Sequence, residues 1–272
     1  MEKRFEFSSF DGTRLVGIFH EPSSIQVKAG FLLMHGIPSD KNEWGFYDDM
    51  ASELGKHGFV SFRFDFRCNG ESAGGDISKI TLSSLVNDIE AAYQELVMLI
   101  SGRCPLFAVG TSCGGGVTLR WINQYRRNIS RVFLMAPVLD YEYEVLGRSL
   151  TEVELKRNLL NESQQAYLQN KGHINSEIHY GLSMVNEAHL FNAALEIALI
   201  NSPITIFHGN SDTVVPYDKS LEVTQCFKKN VELITIQNAD HGFAVEGDDS
   251  LSDPRTKNNH RIIYSEMIKR AL

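Results

Sequence analysis

Two adjacent side chains in AVGTSCGGG, residues 108–116, could act as nucleophiles: the Ser112 hydroxyl and the Cys113 thiol. Gly110 and Gly114 flank Ser112 two residues to either side, which is the G-x-S-x-G pattern of a nucleophile elbow. Such a tight strand-to-helix turn strains its central residue and crowds the positions two residues away, which must therefore be small. The spacing favours Ser112 as the nucleophile and leaves Cys113 to donate its backbone N–H.

A serine hydroxyl needs a base to take its proton and an acid to hold that base in the right tautomer. Where a nucleophile elbow lies in a parallel α/β sheet, the acid and then the histidine are expected on loops after later strands. Asp212 follows the predicted strand Ile204–His208, within HGNSDTVVP. His241 follows the predicted strand Glu232–Ile236, within QNADHGF. The order along the chain and the strand ends predict a catalytic triad of Ser112, Asp212 and His241.

Asp140 is the main alternative to Asp212 as the orienting acid, because it follows the predicted strand Arg131–Ala136. Some folds of this kind place the acid after that earlier strand. Asp240 is a poorer candidate, because it directly precedes His241 and cannot easily turn back onto the ring of its own neighbour.

Negative charge that develops on a substrate oxygen needs preorganised N–H donors. The segment HGIPS follows the predicted strand Gly30–Met34, so the Ile37 N–H can face the nucleophile, whereas Pro38 has no N–H to donate. The Cys113 N–H lies at the start of a predicted helix, whose dipole also favours an anion. We therefore predict an oxyanion hole made by Ile37 and Cys113, and we interpret His35, which precedes the turn, as structural.

Length and composition exclude several classes of protein. The chain has 272 residues, 43% of them hydrophobic and 22% charged, which predicts one large globular domain. A net charge of -8 gives no sign of the positively charged surface that binding to nucleic acid needs. No apolar stretch is long enough for a membrane span. The histidines His173, His179 and His189 lack a ligand-like spacing, so we expect no metal and no other cofactor.

The amino-terminal residues and the cysteines point to the compartment. The opening segment MEKRFEFSSF turns polar within a few residues and lacks the apolar core of a secretory signal. The four cysteines form no CxxC pair, which favours a reducing compartment and free thiols. We therefore expect a cytoplasmic protein, and a homodimer is one assembly that the sequence leaves open.

Strands alternate with helices along most of the chain, which predicts an α/β fold with a mostly parallel sheet and helices on both faces. An opening hairpin is centred on the turn signal Asp11–Gly12. The strand candidates are Arg4–Ser8, Arg14–His20, Gly30–Met34, Val60–Asp65, Leu106–Val109, Arg131–Ala136, Ile204–His208 and Glu232–Ile236. The helix candidates are Phe46–His57, Leu82–Ile100, Gly115–Tyr125, Lys219–Cys226 and Asn258–Ala271.

The interval from Pro137 to Ile204 is far longer than a crossover between strands needs. An insertion at a strand end, on the edge where loops carry function, suits a lid. We therefore divide the chain into a core, residues 1–140 and 196–272, and a lid, residues 141–195.

Two helical segments are expected within this lid, around Thr151–Gln169 and Ala188–Ile197. We interpret the tyrosines of this lid as packing residues, because tyrosines in such a segment more often pack than contact substrate. Its apolar residues could form a wall of the substrate pocket. The tyrosines are Tyr141, Tyr143, Tyr167 and Tyr180. The apolar residues are Leu146, Leu159, Leu160, Leu168, Leu182 and Met184.

Five segments, HGIPS, FRFDFRCNGES, GTSCGG, HGNSDTVVP and ADHGF, together resemble the α/β-hydrolase superfamily. More narrowly, the chain resembles serine hydrolases of the monoglyceride lipase, cinnamoyl esterase and S33 serine aminopeptidase type, from about residue 10 to 270. The resemblance implies the α/β-hydrolase fold and maps the triad and the oxyanion hole onto the residues given above. The chain departs from the pattern in two ways: Cys113 stands where a larger residue is common, and Cys68–Asn69 replaces the usual glycine after the arginine.

The residues and the resemblance together predict a cofactor-free serine hydrolase. It would cleave carboxylic esters with aromatic or medium-chain acyl groups through an acyl-enzyme intermediate. An acyl thioester, or a small peptide or amide, could replace the oxygen ester. A protein of the same fold that only binds a small-molecule ligand is the alternative outside enzymes.

Overall fold

The computed structural model describes residues 1–22, 27–101, 104–146 and 180–272. Within them, one sheet contains eight strands in the spatial order β1-β2-β4-β3-β5-β6-β7-β8. The strands are β1 (Glu2–Ser8), β2 (Arg14–His20), β3 (Ala29–Met34), β4 (Phe59–Asp65), β5 (Leu106–Thr111), β6 (Arg131–Met135), β7 (Ile204–Gly209) and β8 (Val231–Ile236).

The amino-terminal strands run against the rest of the sheet. Strands β1 and β2 form an antiparallel hairpin, and β2 pairs antiparallel with β4. Every pairing from β4 through β3 to β8 is parallel. The predicted hairpin and the predicted mostly parallel sheet are therefore confirmed, and the carboxyl ends of six parallel strands meet at one edge.

Helices cover both faces of the sheet. The helices of the described segments are α1 (Phe46–Lys56), α2 (Leu82–Leu99), α3 (Cys113–Gln124), α4 (Tyr141–Leu146), α5 (Leu182–Ala188), α6 (Ala193–Ala198), α7 (Tyr217–Cys226) and α8 (Pro254–Ala271). Helices α1 and α8 pack in one core cluster, while α2, α3, α5 and α6 contribute to the other.

Strand β3 shows how the sequence divides between these two cores. Phe31 and Leu33 belong to the core beneath α1 and α8, whereas Leu32 and Met34 belong to the core beneath α2 and α3. All four side chains are buried, because successive residues of a strand point to opposite faces. A continuous apolar run is what a strand covered on both faces requires.

Three helices begin earlier than the sequence pattern predicts, and one of them is α7, which begins at Tyr217 instead of Lys219. Helix α3 begins at Cys113, directly after the turn, whereas the pattern predicted a start at Gly115. Helix α8 begins at Pro254 instead of Asn258, because the Asp253 side chain accepts a hydrogen bond from the Arg255 N–H and proline suits the first helical position.

The prediction of one continuous helical segment over Ala188–Ile197 is wrong. Helix α5 ends at Ala188 and α6 begins at Ala193. The side chain of Asn192 accepts a hydrogen bond from the Leu195 N–H at 3.1 Å and starts the second helix. The other predicted lid helix, Thr151–Gln169, lies outside the described residues.

Candidate active site

Ser112 stands alone between β5 and α3. Its backbone has φ 50° and ψ -122°, outside the regions that most residues adopt, as expected for a strained elbow. A Cβ atom added to Gly114 would lie 2.4 Å from the His35 carbonyl oxygen, and one added to Gly110 would lie 2.6 Å from Thr118 Oγ1. Both flanking positions therefore require glycine, as the spacing predicted.

The structure brings three of the predicted site residues to one cavity of about 260 Å³: Ser112, His241 and Ile37. Strands β3, β5 and β8 each end just before one of them, at the edge where the parallel strands finish. The other residues that line this cavity are Gly36, Pro38, Ser39, Glu43, Trp44, Glu144 and Val214.

Asp212 lies behind His241 with its side chain fully buried. One oxygen, Oδ2, accepts from His241 Nδ1 at 2.8 Å and from His208 Nε2 at 3.1 Å. The other, Oδ1, accepts from the backbone N–H groups of Val214 and Val215, at 2.8 and 2.9 Å. Burial alone would raise the pKa of Asp212, but these hydrogen bonds hold it well below its usual range.

The hydrogen bond to Asp212 fixes the tautomer of His241. Its Nδ1 carries the hydrogen that the carboxylate accepts, so the Nε2 lone pair is free to accept a proton from a hydroxyl. Burial alone would lower the pKa of His241, but the hydrogen bond and charge of Asp212 raise it, and the charges of Glu43 and Glu144 add to this effect. The ring is still 23% exposed, which leaves it accessible from the cavity.

His208 supports the same carboxylate, and sequence reasoning missed it. Its Nδ1 accepts from Ser220 Oγ at 2.8 Å, which leaves Nε2 to donate to Asp212. The ring is fully buried. The signal was available in the sequence, because this histidine is the penultimate residue of β7, four residues before Asp212.

The rival acids have other partners. Asp140 accepts from the Tyr143 N–H at 2.9 Å at the start of α4, and its second oxygen lies 3.4 Å from Lys219 Nζ. Asp240 accepts from the N–H groups of Gly242 and Ala244 and closes the local turn. In the described part of the chain neither carboxylate forms a hydrogen bond with His241.

The predicted oxyanion donors lie on either side of Ser112. Ile37 shares its cavity, and Cys113 begins α3. Neither backbone N–H donates to an acceptor within the described residues. Both are therefore able to donate to a substrate oxygen.

The loop that carries Ile37 is fastened to the turn after β4. His35 is fully buried, and its Nε2 accepts from the Phe66 N–H at 2.9 Å, so it is structural. Asp65 accepts from the N–H groups of Lys41 and Glu71, at 2.7 and 2.9 Å. The bonds of Phe66 to His35 and of Lys41 to Asp65 join the segment after β3 to the segment after β4.

The Cys113 thiol is poorly placed to act as a nucleophile. Its side chain is buried, and the Tyr141 hydroxyl lies 3.6 Å from its sulfur. Burial raises the pKa of the Cys113 thiol to about 12, and the thiolate is the reactive form. The side chain thus stays neutral at ordinary pH, which leaves the backbone N–H as the group that faces the turn.

A second cavity of about 480 Å³ shares Glu43, Trp44 and His241 with the first. Carboxylates line both. Glu144 belongs to the first, and Asp240, Asp248 and Asp249 belong to the second. Among the described residues that line either cavity there is no lysine or arginine.

Neither a metal site nor a membrane span is found in the described segments. They contain no group of three or more histidine, cysteine, aspartate or glutamate side chains that could hold a metal ion. None of the helices in these segments combines the length and the apolar character that a bilayer crossing needs.

Solved structures of similar fold cover nearly the whole chain. A putative hydrolase from Agrobacterium vitis S4 is 21% identical, with a TM-score of 0.73, over 98% of this chain and 99% of that chain. Est1E from Butyrivibrio proteoclasticus, solved with ferulic acid bound, is 18% identical, with a TM-score of 0.75, over 97% and 98%. An esterase from Pyrococcus furiosus is 18% identical, with a TM-score of 0.65, over 99% and 91%.

Family membership follows from a match over most of the chain. A family model described as serine aminopeptidase, S33, matches residues 25–248. The predicted α/β-hydrolase fold is confirmed, and a hydrolase with a small-molecule substrate is supported. The chain belongs to the S33 serine aminopeptidase family of α/β hydrolases.

Proposed function

We propose that this protein is a serine hydrolase that cleaves carboxylic esters through an acyl-enzyme intermediate. One observation carries the proposal: Ser112 and His241 line the same cavity, and Asp212 holds the far nitrogen of the His241 ring at 2.8 Å. A nucleophile, a base and an orienting acid in this order are the parts that acyl transfer by serine needs.

In the proposed first step, Ser112 Oγ attacks the ester carbonyl carbon while His241 Nε2 takes the hydroxyl proton. The N–H groups of Ile37 and Cys113 donate to the oxygen on which negative charge develops. The tetrahedral intermediate then collapses, the bond to the alcohol oxygen breaks, and His241 returns the proton to the leaving alcohol.

Water completes the proposed cycle. His241 removes a proton from water, the resulting hydroxide attacks the acyl carbon, and Ser112 leaves as the hydroxyl with the proton that His241 returns. Asp212 stays ionised throughout and stabilises the transient imidazolium. The low pKa of its buried carboxyl is suited to this role.

We further propose aromatic or medium-chain acyl groups. Two cavities, of about 260 and 480 Å³, share His241 among their lining residues and offer room for an acyl group and an alcohol. Est1E, which shares the fold at 18% identity, was solved with ferulic acid bound, and this makes aromatic acids the first class to try.

Thioesters of coenzyme A are a weaker candidate on electrostatic grounds. Their phosphates are anionic, whereas carboxylates line both cavities and no described lining residue is a lysine or arginine. An amide or small-peptide substrate stays an alternative that the family's aminopeptidase description favours. A protein that only binds ligand would not need a base held by a buried acid.

A panel of chromogenic esters, matched thioesters and aminoacyl anilides tests the proposal. We expect hydrolysis of neutral aromatic and medium-chain esters, with much slower turnover of coenzyme A thioesters and anilides. Ser112→Ala should abolish ester turnover. Faster anilide than ester cleavage, or ester turnover that survives in Ser112→Ala, would replace this proposal by one of the alternatives.

A further inference from the structure

Glu43 faces the proposed catalytic centre, and the mechanism above does not use it. Its Oε2 accepts a hydrogen bond from the Gly36 N–H at 2.7 Å. The side chain is partly buried and lines both cavities, in company with His241. Its position joins the loop of the proposed oxyanion hole to the proposed base.

The Gly36 peptide that Glu43 holds lies against the nucleophile. A Cβ atom added to Gly36 would lie 3.1 Å from Ser112 Cβ and 3.3 Å from Glu43 Oε1. The next N–H along the chain is that of Ile37, the proposed oxyanion donor. A small rotation of this segment would therefore move the donor relative to the substrate oxygen, and donor geometry governs such stabilisation.

The backbone around Glu43 is unusual and brings the carboxylate to this place. Glu43, Trp44 and Gly45 all have positive φ, at 47°, 57° and 86°. Two consecutive residues with side chains in the left-handed region are strained, and such strain concentrates at functional sites. Helix α1 gains no side-chain cap from this arrangement, although the carbonyls of Asn42 and Glu43 accept from the Tyr47 and Phe46 N–H groups at its start.

The charged groups near Glu43 or His241 are Asp212, Glu144 and Asp40, and the buried, neutral Tyr47 lies near Glu43. Burial raises the pKa of Glu43 to about 7, although the Gly36 hydrogen bond and the nearby His241 act to lower it. The nearby Ser39 hydroxyl acts in the same direction. The charge of each group thus affects the protonation of the other.

We propose that Glu43 is a positioning residue of the acyl-transfer site, which fixes the Gly36–Ile37 segment through its hydrogen bond and faces the base with its charge. The inference rests on the proposed function of Ser112 and His241. It assigns no contact between Glu43 and the substrate. The carboxylate acts through the loop on one side and through His241 on the other.

Two variants separate the hydrogen bond from the charge. Glu43→Gln keeps an oxygen that can accept from the Gly36 N–H but removes the charge, whereas Glu43→Ala removes both. The measurement is the second-order rate constant for phosphonylation by a fluorophosphonate probe, taken between pH 5 and 9. Glu53→Gln, which removes a charge from α1 away from both cavities, is the control and should match the unmodified protein.

The expected signs follow from the geometry. The base reacts only when neutral, and the Glu43 charge raises the pKa of His241, so both variants should shift the acid limb of the profile to lower pH. Glu43→Gln should keep its plateau rate within about threefold, whereas Glu43→Ala should lose about tenfold or more because the donor loop is released. A merely structural glutamate would not move the acid limb.

An unmoved acid limb in Glu43→Gln, or a full plateau rate in folded Glu43→Ala, would overturn the inference. If Glu43→Ala does not fold, as judged by circular dichroism, the acid limb of Glu43→Gln decides alone. Failure of the proposed function would look different, because the unmodified protein itself would then not be phosphonylated at Ser112.

Discussion

At the scale of single residues, the site depends on the hydrogen bonds that the Asp212 carboxylate accepts. Asp212 accepts four hydrogen bonds, two from histidine rings and two from backbone N–H groups. A carboxylate held in this way cannot rotate without leaving a buried donor unpaired, which costs free energy. The orientation of the His241 ring is therefore set by the loop after β7 as well as by its own loop.

Asp212→Asn should lower kcat by about a thousandfold or more, because an amide NH₂ in place of the oxygen that accepts from Nδ1 favours the wrong tautomer of His241. Asp140→Asn is the matched control, since that carboxylate caps α4 and lies beside Lys219. Its kcat should stay within a few fold of the unmodified protein. Steady-state kinetics on one ester measure both, and a reversed order of the two effects would move the acid to Asp140.

At the scale of elements, the turn after β4 supports the proposed oxyanion loop from outside the site. Asp65 and His35 join the loop to the turn, as described above. Arg67 then joins the turn to α2, because its guanidinium and its backbone N–H both donate to the fully buried Asp88. A chain of buried polar contacts thus leads from α2 to the loop that carries Ile37.

Asp88→Ala should lower the free energy of unfolding by about 3–5 kcal/mol, because it leaves the Arg67 charge without its buried partner. Asp11→Ala removes the exposed partner of the same guanidinium, with a side chain that is 55% exposed, and should cost no more than about 1 kcal/mol. Urea denaturation followed by circular dichroism measures both. Equal losses in the two variants would show that burial does not set the strength of these pairs.

Sequence patterns could place the elements and the strand-end residues because both depend on local spacing. The glycines around Ser112, the strand before Asp212 and the strand before His241 are of this kind. Glu43 was missed because its role depends on a contact with Gly36 that no local spacing pattern indicates. His208 was missed because a histidine within a buried strand looks like a core residue, although it lies four residues before Asp212. The break between α5 and α6 was missed because a single cap residue, Asn192, outweighs the apolar pattern.

At the scale of the whole molecule, the parallel sheet gathers the proposed site. The segments after β3, β5, β7 and β8 converge at one edge, and Glu144 of α4 enters the same cavity from the segment after β6. Residues 141–195 therefore begin beside Ser112, and their role as a lid stays a prediction. Met184, which was expected to line the pocket, is instead fully buried in the core that includes α2.

The most direct test of the account is the site of covalent labelling by a fluorophosphonate. Intact-mass analysis should show one label per chain, and peptide mapping should place it on Ser112. Cys113→Ala should still be labelled, since its backbone donor remains, and Ser112→Ala should not. A label on Cys113, or undiminished labelling of Ser112→Ala, would contradict the central claim that Ser112 is the nucleophile.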